Sequence, residues 1–399
     1  MDAEYLIYPI TGLVSSGNWP ASKTGVLSEL NLFISNSDRL VHSTIIRRFS
    51  QHMKFCTILL AITAWETSAE LTGCVDGITC SQLTPANSGL TFDCRFAGNQ
   101  MQSKGNVMLL HGFPEWSSMY MPLMRELSEK GYYSVACNQR GYSPSASPPK
   151  QEDYNYDILA SDVSELASEA FGYDGKYHLI GHDHGGILGW VVASKEEEKI
   201  LSYTTLSSPH PDAFSEGLYG INRDVKQVEA SQYFTMFTLP DSATIHHSFW
   251  WYSAGKTAST KYGESFSSAE DFQKALWWYN GAEDAGMFAM PALLSTSDLL
   301  KDGAFSAAFL RSIFGGTPNE GHPAKEPVGN VNVPTLFICG NQDESILCTR
   351  DYSKKSSDFV VDSEYDYLEV ECGHDLLSSS CKEMDKIMEI VIDHVDKNM

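Results

Sequence analysis

The sequence is short of positive charge. Lys and Arg number 28 against 51 Asp and Glu, leaving a formal charge of −23 and a pI near 4.8. Phosphate backbones and anionic lipid surfaces repel such a chain, so nucleic acid is not an expected partner. The sequence has no N-x-S/T acceptor, which speaks weakly against a glycosylated secreted protein. No apolar run reaches the roughly 20 residues that a membrane-spanning helix needs. There is no CxxC pair among the nine cysteines, and glycine (30) and proline (16) are at ordinary levels. No internal repeat has solenoid or propeller spacing.

What remains is a globular composition. The 399 residues are 42% hydrophobic and 20% charged, enough for a large core in one α/β domain with an insertion, or in two domains. Residues 1–87 read as an N-terminal extension. Within it, Met53-Lys54 leads into the apolar stretch 55–65, with a small residue at Ala69. Stretch 53–69 resembles a secretory signal placed inside the chain, as it would be if translation began at Met53. Two readings stand open: a signal, which implies the secretory pathway, or an ordinary apolar helix on the body of a cytoplasmic protein. Export would let Cys74, Cys80, Cys94, Cys348, Cys372 and Cys381 form disulfides, whereas Cys137 and Cys339 sit in apolar runs and read as inert buried thiols.

From residue 88 onward, strand-like and helix-like segments alternate. Strands are expected at 106–112, 132–138, 176–180, 201–208, 333–340 and 365–371, and helices at 117–131, 156–172, 185–195 and 382–395. This alternation predicts a mostly parallel sheet with helices on both faces. It fails between 212 and 325, where Trp, Tyr, Phe and Met recur at helical spacing. That stretch is expected to be a helical cap, or lid, inserted between core segments 88–211 and 326–399.

The strand at 176–180 runs into Gly181-His182-Asp183-His184-Gly185-Gly186 and then into a helix. A sharp turn of this kind lifts its central side chain clear of the sheet, the glycines avoid Cβ clashes, and the following helix N-terminus favours negative charge. An Asp at the centre attacks carbon and forms an ester, which points to epoxides or carbon–halogen bonds. His182 and His184 alternate about the turn and do not converge on one ion, so no metal is expected. Asp343, in CGNQD, and His374, in ECGHD, each follow a strand. The order Asp183, Asp343, His374 is nucleophile, acid, base. Glu344 and Asp375 compete for the acid role but are less well placed.

These motifs, together with His111-Gly112-Phe113-Pro114-Glu115-Trp116 and Asn138-Gln139-Arg140-Gly141-Tyr142-Ser143, resemble those of the epoxide hydrolases of the α/β-hydrolase fold. The resemblance implies a cis Phe113–Pro114 bond and an oxyanion hole made by the backbone N–H groups of Phe113 and His184. It also implies that lid tyrosines Tyr233 and Tyr279 protonate the epoxide oxygen, with Trp116 and Trp278 contacting substrate. No cofactor is implied. Asn138 replaces the family's Asp, and His184 replaces the Trp usual after the nucleophile. The expected reaction converts a small-molecule epoxide and water to a vicinal diol. The alternatives are a dehalogenase with the same nucleophile, in which Trp277 and Trp278 would hold the halide, and a ligand-binding protein without turnover.

Overall fold

The computed structural model describes residues 74–238, 242–243, 266, 268–284 and 328–399. The signal-like stretch 55–65 and much of the expected cap lie outside the described residues. All of the described residues belong to one compact unit, Leu71–Met399.

Eight strands form one sheet: β1 (Thr79–Leu83), β2 (Phe92–Ala97), β3 (Asn106–Leu110), β4 (Tyr133–Cys137), β5 (Tyr177–His182), β6 (Ile200–Leu206), β7 (Thr335–Gly340) and β8 (Tyr365–Val370). Their order is β1-β2-β4-β3-β5-β6-β7-β8. β2 is antiparallel to β1 and β4, and every other pairing is parallel. The central strands β3 and β5 are buried on both faces, which is why they read as continuous apolar runs.

The sheet therefore starts earlier than residue 88. β1 lies inside the expected extension, and β2 was not expected at all. β1 is a half-exposed edge strand with polar side chains. β2 carries Asp93 and Arg95, and the buried Arg95 breaks the apolar pattern while bonding to Ser117 and Asn138. Asn138 also accepts from the Ser117 N–H at 3.0 Å. It serves here as a structural acceptor at the end of β4.

The described helices are α1 (Met121–Glu129), α2 (Tyr156–Phe171), α3 (His184–Lys195), α4 (Pro211–Tyr219), α5 (Val225–Ala230), α6 (Gln232–Thr238), α7 (Ala269–Asp284), α8 (Asp351–Lys354) and α9 (Met384–Lys397). Asn155 caps α2 by accepting from the Ile158 N–H, and Gly172 ends it at positive φ. The apolar stripes of α1 and α9 pack one face of the sheet, where Leu123, Leu127, Ile387 and Val391 are fully buried. α2 and α3 cover the other face, in a larger core that also takes in Phe234, Phe272 and Trp278 of α6 and α7. No described helix is long and apolar enough to cross a membrane.

Eight cysteines are bonded in pairs: Cys74–Cys80, Cys94–Cys137, Cys339–Cys348 and Cys372–Cys381. Cys137 and Cys339, expected as inert thiols, are thus both in disulfides. Cys94 and Cys137 face each other across the β2–β4 ladder, a proximity that strand pairing creates and chain spacing conceals.

Candidate active site

The site forms at the carboxyl ends of β3, β5, β7 and β8. Asp183 stands between β5 and α3 at φ 52°, a left-handed conformation that a non-glycine residue keeps only when its surroundings enforce it. They do so here by close approach: a Cβ on Gly181 would collide with the Gly185 carbonyl, and one on Gly185 with the Leu110 carbonyl. The Asp183 backbone carbonyl accepts from Ser208 Oγ at 2.7 Å. The turn is therefore held by β3 and by the end of β6 as well as by its own chain.

The carboxylate is buried, and both of its oxygens are engaged. Oδ1 accepts from the Phe113 N–H at 2.8 Å, and Oδ2 lies 3.2 Å from His374 Nε2. Burial pushes the Asp183 carboxyl up, but the hydrogen bond from His374 and the nearby histidines outweigh it and hold the group well below the usual carboxylate range. The Phe113–Pro114 bond is cis. His111 anchors that turn: its Nδ1 faces the Gly112 carbonyl at 2.9 Å and its Nε2 accepts from the Gln139 N–H at 3.0 Å. Burial takes its pKa down to about 3, so the ring is neutral.

His374 Nδ1 donates to Asp343 Oδ2 at 2.6 Å. Asp343 Oδ1 accepts from the N–H groups of Ser345 and Ile346, at 2.8 and 3.0 Å. Burial alone would lower the His374 pKa, but the charge of Asp343 and then the bond to Asp183 raise it well above the ordinary histidine value. Asp343, rather than Glu344 or Asp375, is the acid bonded to His374.

Tyr233 (α6) and Tyr279 (α7) stand edge to face with ring centroids 6.2 Å apart. Burial, together with the Asp183 charge, pushes both phenols well above their usual range, so they keep their protons. Tyr279 also contacts Phe113 and His184, with centroids at 5.3 and 4.3 Å. His184 Nδ1 pairs with the Tyr156 hydroxyl at 2.7 Å. Trp116 packs against Tyr142 and Phe266. Trp278 gives its N–H to the Arg140 carbonyl at 2.9 Å, while Trp277 packs on Tyr154.

This layout has close counterparts. An Asp at positive φ after the fifth strand, with a second Asp and a His after the seventh and eighth, accompanies the 1-2-4-3-5-6-7-8 strand order. The sequence pattern of the α/β-hydrolase fold matches residues 105–230. The chain has the α/β-hydrolase fold. A hydrolase-fold structure, the epoxide hydrolase of Bacillus megaterium bound to an inhibitor, superposes with a TM-score of 0.56 at 20% identity, over 79% of this chain and all of that one. In sequence, mouse epoxide hydrolase 4 is 30% identical over 266 residues, 64% of either chain. The match thus spans less than two thirds of that relative's length. Fluoroacetate dehalogenase of a Burkholderia species is 33% identical over 121 residues, 29% of this chain and 37% of that one.

Sequence reasoning gave no role in this hydrolase-fold site to Ser207 or Glu115 and read His182 only as a packing or supporting residue. Ser207, at φ 58°, and His182 both approach the His374 carbonyl, at 2.8 and 3.0 Å. Glu115 lies 3.0 Å from His182 Nδ1. Glu115 and His182 stood inside motifs quoted for other residues, and Ser207 inside the strand expected at 201–208. Among the described residues, Glu115, His182 and Asp375 are the one group whose ligand atoms converge, within 4.8 Å of one another. The two nitrogens of His182 each lie 3.0 Å from a protein oxygen, Glu115 Oε2 and the His374 carbonyl.

Proposed function

We propose that the protein hydrolyses epoxides to vicinal diols through an ester on Asp183. The observation that carries this reading is the Asp183 carboxylate, ionised and buried, with one oxygen on the Phe113 N–H and the other beside His374. In the first half-reaction a carboxylate oxygen attacks one epoxide carbon. The C–O bond breaks, and the ring oxygen takes a proton from Tyr233 or Tyr279, whose phenols remain protonated. In the second, His374 removes a proton from water and the hydroxide attacks the ester carbonyl. The resulting oxyanion accepts from the Phe113 N–H and from the backbone N–H of His184 at the α3 N-terminus. Collapse expels the diol oxygen as an alkoxide, which takes the proton that the attacking hydroxide carried onto the Asp183 carboxyl. His374 gives its proton to the phenolate, so that Asp183, His374 and the tyrosine return to their starting states. Asp343 orients the imidazole throughout. Helices α4–α7, inserted between β6 and β7, act as part of the cap over the site, and Trp116 lines it.

Similarity to named epoxide hydrolases supports this reading, and the carbon–halogen alternative has less support. Halide departure needs N–H donors, and the Trp278 N–H is taken by Arg140. The test is product analysis on aryl, alkyl and fatty-acid epoxides beside haloalkanes and fluoroacetate, comparing wild type with Asp183→Asn. Diol that disappears in the mutant is the expected result. Halide without diol would move the assignment to a dehalogenase, and no product from any compound would favour a binding protein.

A further inference from the structure

Asp343 and His374 stand on segments that have no regular structure to hold them. No helix or strand occupies 341–350 or 371–383. Asn341, Gln342 and Glu344 are exposed on either side of buried Asp343, and Gly373 is exposed beside half-buried His374. Loops of this kind open locally at little cost, whereas proton transfer needs its partners placed to within about half an ångström.

A covalent bond closes each loop. Cys339, inside β7, is joined to Cys348 beyond the Asp343 turn, and Cys372, just after β8, is joined to Cys381 beyond His374. Both bridges have a sequence separation of 9, and all four cysteines are buried. We propose that these two disulfides close the acid and base loops into rings that position Asp343 against His374 for hydrolysis of the ester.

The two rings are also fastened to each other. The Asn341 N–H donates to the Val370 carbonyl and the Gln342 N–H to the Cys372 carbonyl, both at 2.9 Å. The Tyr367 hydroxyl, on β8, donates to the Cys348 carbonyl at 3.1 Å. One cysteine of each bridge therefore bonds directly to the neighbouring strand or loop. Gly340 lies so close to the base loop that a Cβ there would strike the Gly373 and Cys372 carbonyls. Inside the first ring, the Ser345 and Ile346 N–H groups hold Asp343 Oδ1. Inside the second, the Leu376 N–H donates to the His374 carbonyl at 3.1 Å. Opening either ring frees one side of the Asp343–His374 contact. The role rests on the epoxide hydrolase reading, in which this pair acts when the ester is hydrolysed and Asp183 makes the first attack. Loosening the pair slows the second step and leaves the first intact.

Three readouts on the full chain test the proposal. Peptide mapping without reduction should recover both crosslinks, and free thiols at these positions overturn it. The second readout is an NMR titration of His374, assigned by its loss in His374→Gln. It compares wild type with Cys339→Ala/Cys348→Ala, with Cys372→Ala/Cys381→Ala and, as a control, with Cys94→Ala/Cys137→Ala, whose bridge joins β2 to β4. His374 faces Asp343, Asp183 and the His182 ring, and the Asp343 charge is the largest influence raising its pKa. Opening either ring should therefore lower the His374 pKa by at least half a pH unit, and the control should leave it in place. The third is single-turnover kinetics with mass detection of the ester on Asp183. Opening either ring should slow ester hydrolysis about tenfold or more, with ester formation within twofold. An unchanged titration, equal losses in both steps, no loss, or the same losses in the control overturn the positioning role. Each ring has its own variant, so if one fails to fold the other decides. Failure of the wild type to form any ester would count against the proposed function, while mapping and titration still decide the rings.

Discussion

Replacing Asp183 by Asn should lower the pKa of His374. In the intact site His374 lies between two carboxylates, with Nδ1 2.6 Å from Asp343 Oδ2 and Nε2 3.2 Å from Asp183 Oδ2. At 3.2 Å, two unit charges attract by about 1 kcal/mol in bulk water and about 5 kcal/mol at an effective permittivity of about 20. One pKa unit corresponds to about 1.4 kcal/mol, so loss of the Asp183 charge should lower His374 by about 1 to 4 units. Under the proposed mechanism the change imitates the ester: an esterified Asp183 carries no charge, so the imidazole would hold its proton less tightly at the stage where it must accept one from water. The assay is an NMR titration of His374 in wild type and Asp183→Asn, with denaturant unfolding at pH 6 and 9 beside it. A histidine whose folded pKa is raised adds stability that is complete below its unfolded value, about 6.5, and that fades as pH rises through the folded value. This contribution to the fall in stability between pH 6 and 9 should shrink in the mutant. A His374 pKa that stays or rises in Asp183→Asn would refute the reasoning, because the neighbouring charge would then not be what raises it.

Further outcomes follow from other contacts. Tyr233→Phe and Tyr279→Phe together should cut epoxide turnover by about 10²-fold or more, with the loss in ester formation, as pre-steady-state kinetics would show. Arg140→Met removes the bidentate partner of buried Asp162, with contacts of 2.6 and 2.7 Å. It should cost about 3–5 kcal/mol in denaturant unfolding, and Arg140→Met with Asp162→Leu should recover most of that. Replacing Cys94 and Cys137 together by Ala opens a crosslink between residues 43 apart in sequence. Loop entropy puts that loss at about 4 kcal/mol, measurable as a lower unfolding midpoint.

Much of the core was legible because its physics is local. A strand buried on both faces must be apolar throughout, so β3 to β7 announced themselves. A nucleophile turn packed against a neighbouring strand needs glycine where a Cβ would strike a carbonyl, so Gly181 and Gly185 marked Asp183. The edge was less legible. β1 is half exposed and β2 buries Arg95, and neither residue pattern distinguishes a strand from a loop until Ser117 and Asn138 are seen to receive the guanidinium.

By itself the sequence determined the alternation of strands and helices of the core from β3 onward, the turn that carries Asp183, and the acid and base candidates that follow later strands. It did so because periodicity, turn chemistry and side-chain type act over a few residues. Only the tertiary structure decided what meets across long separations. It set Asp343 rather than its neighbours against His374, joined Cys94 to Cys137, committed the Trp278 N–H to Arg140, and brought Glu115, His182 and the His374 carbonyl together. Those pairings depend on strand order in the sheet and on where each loop leaves it, and no short-range pattern records either.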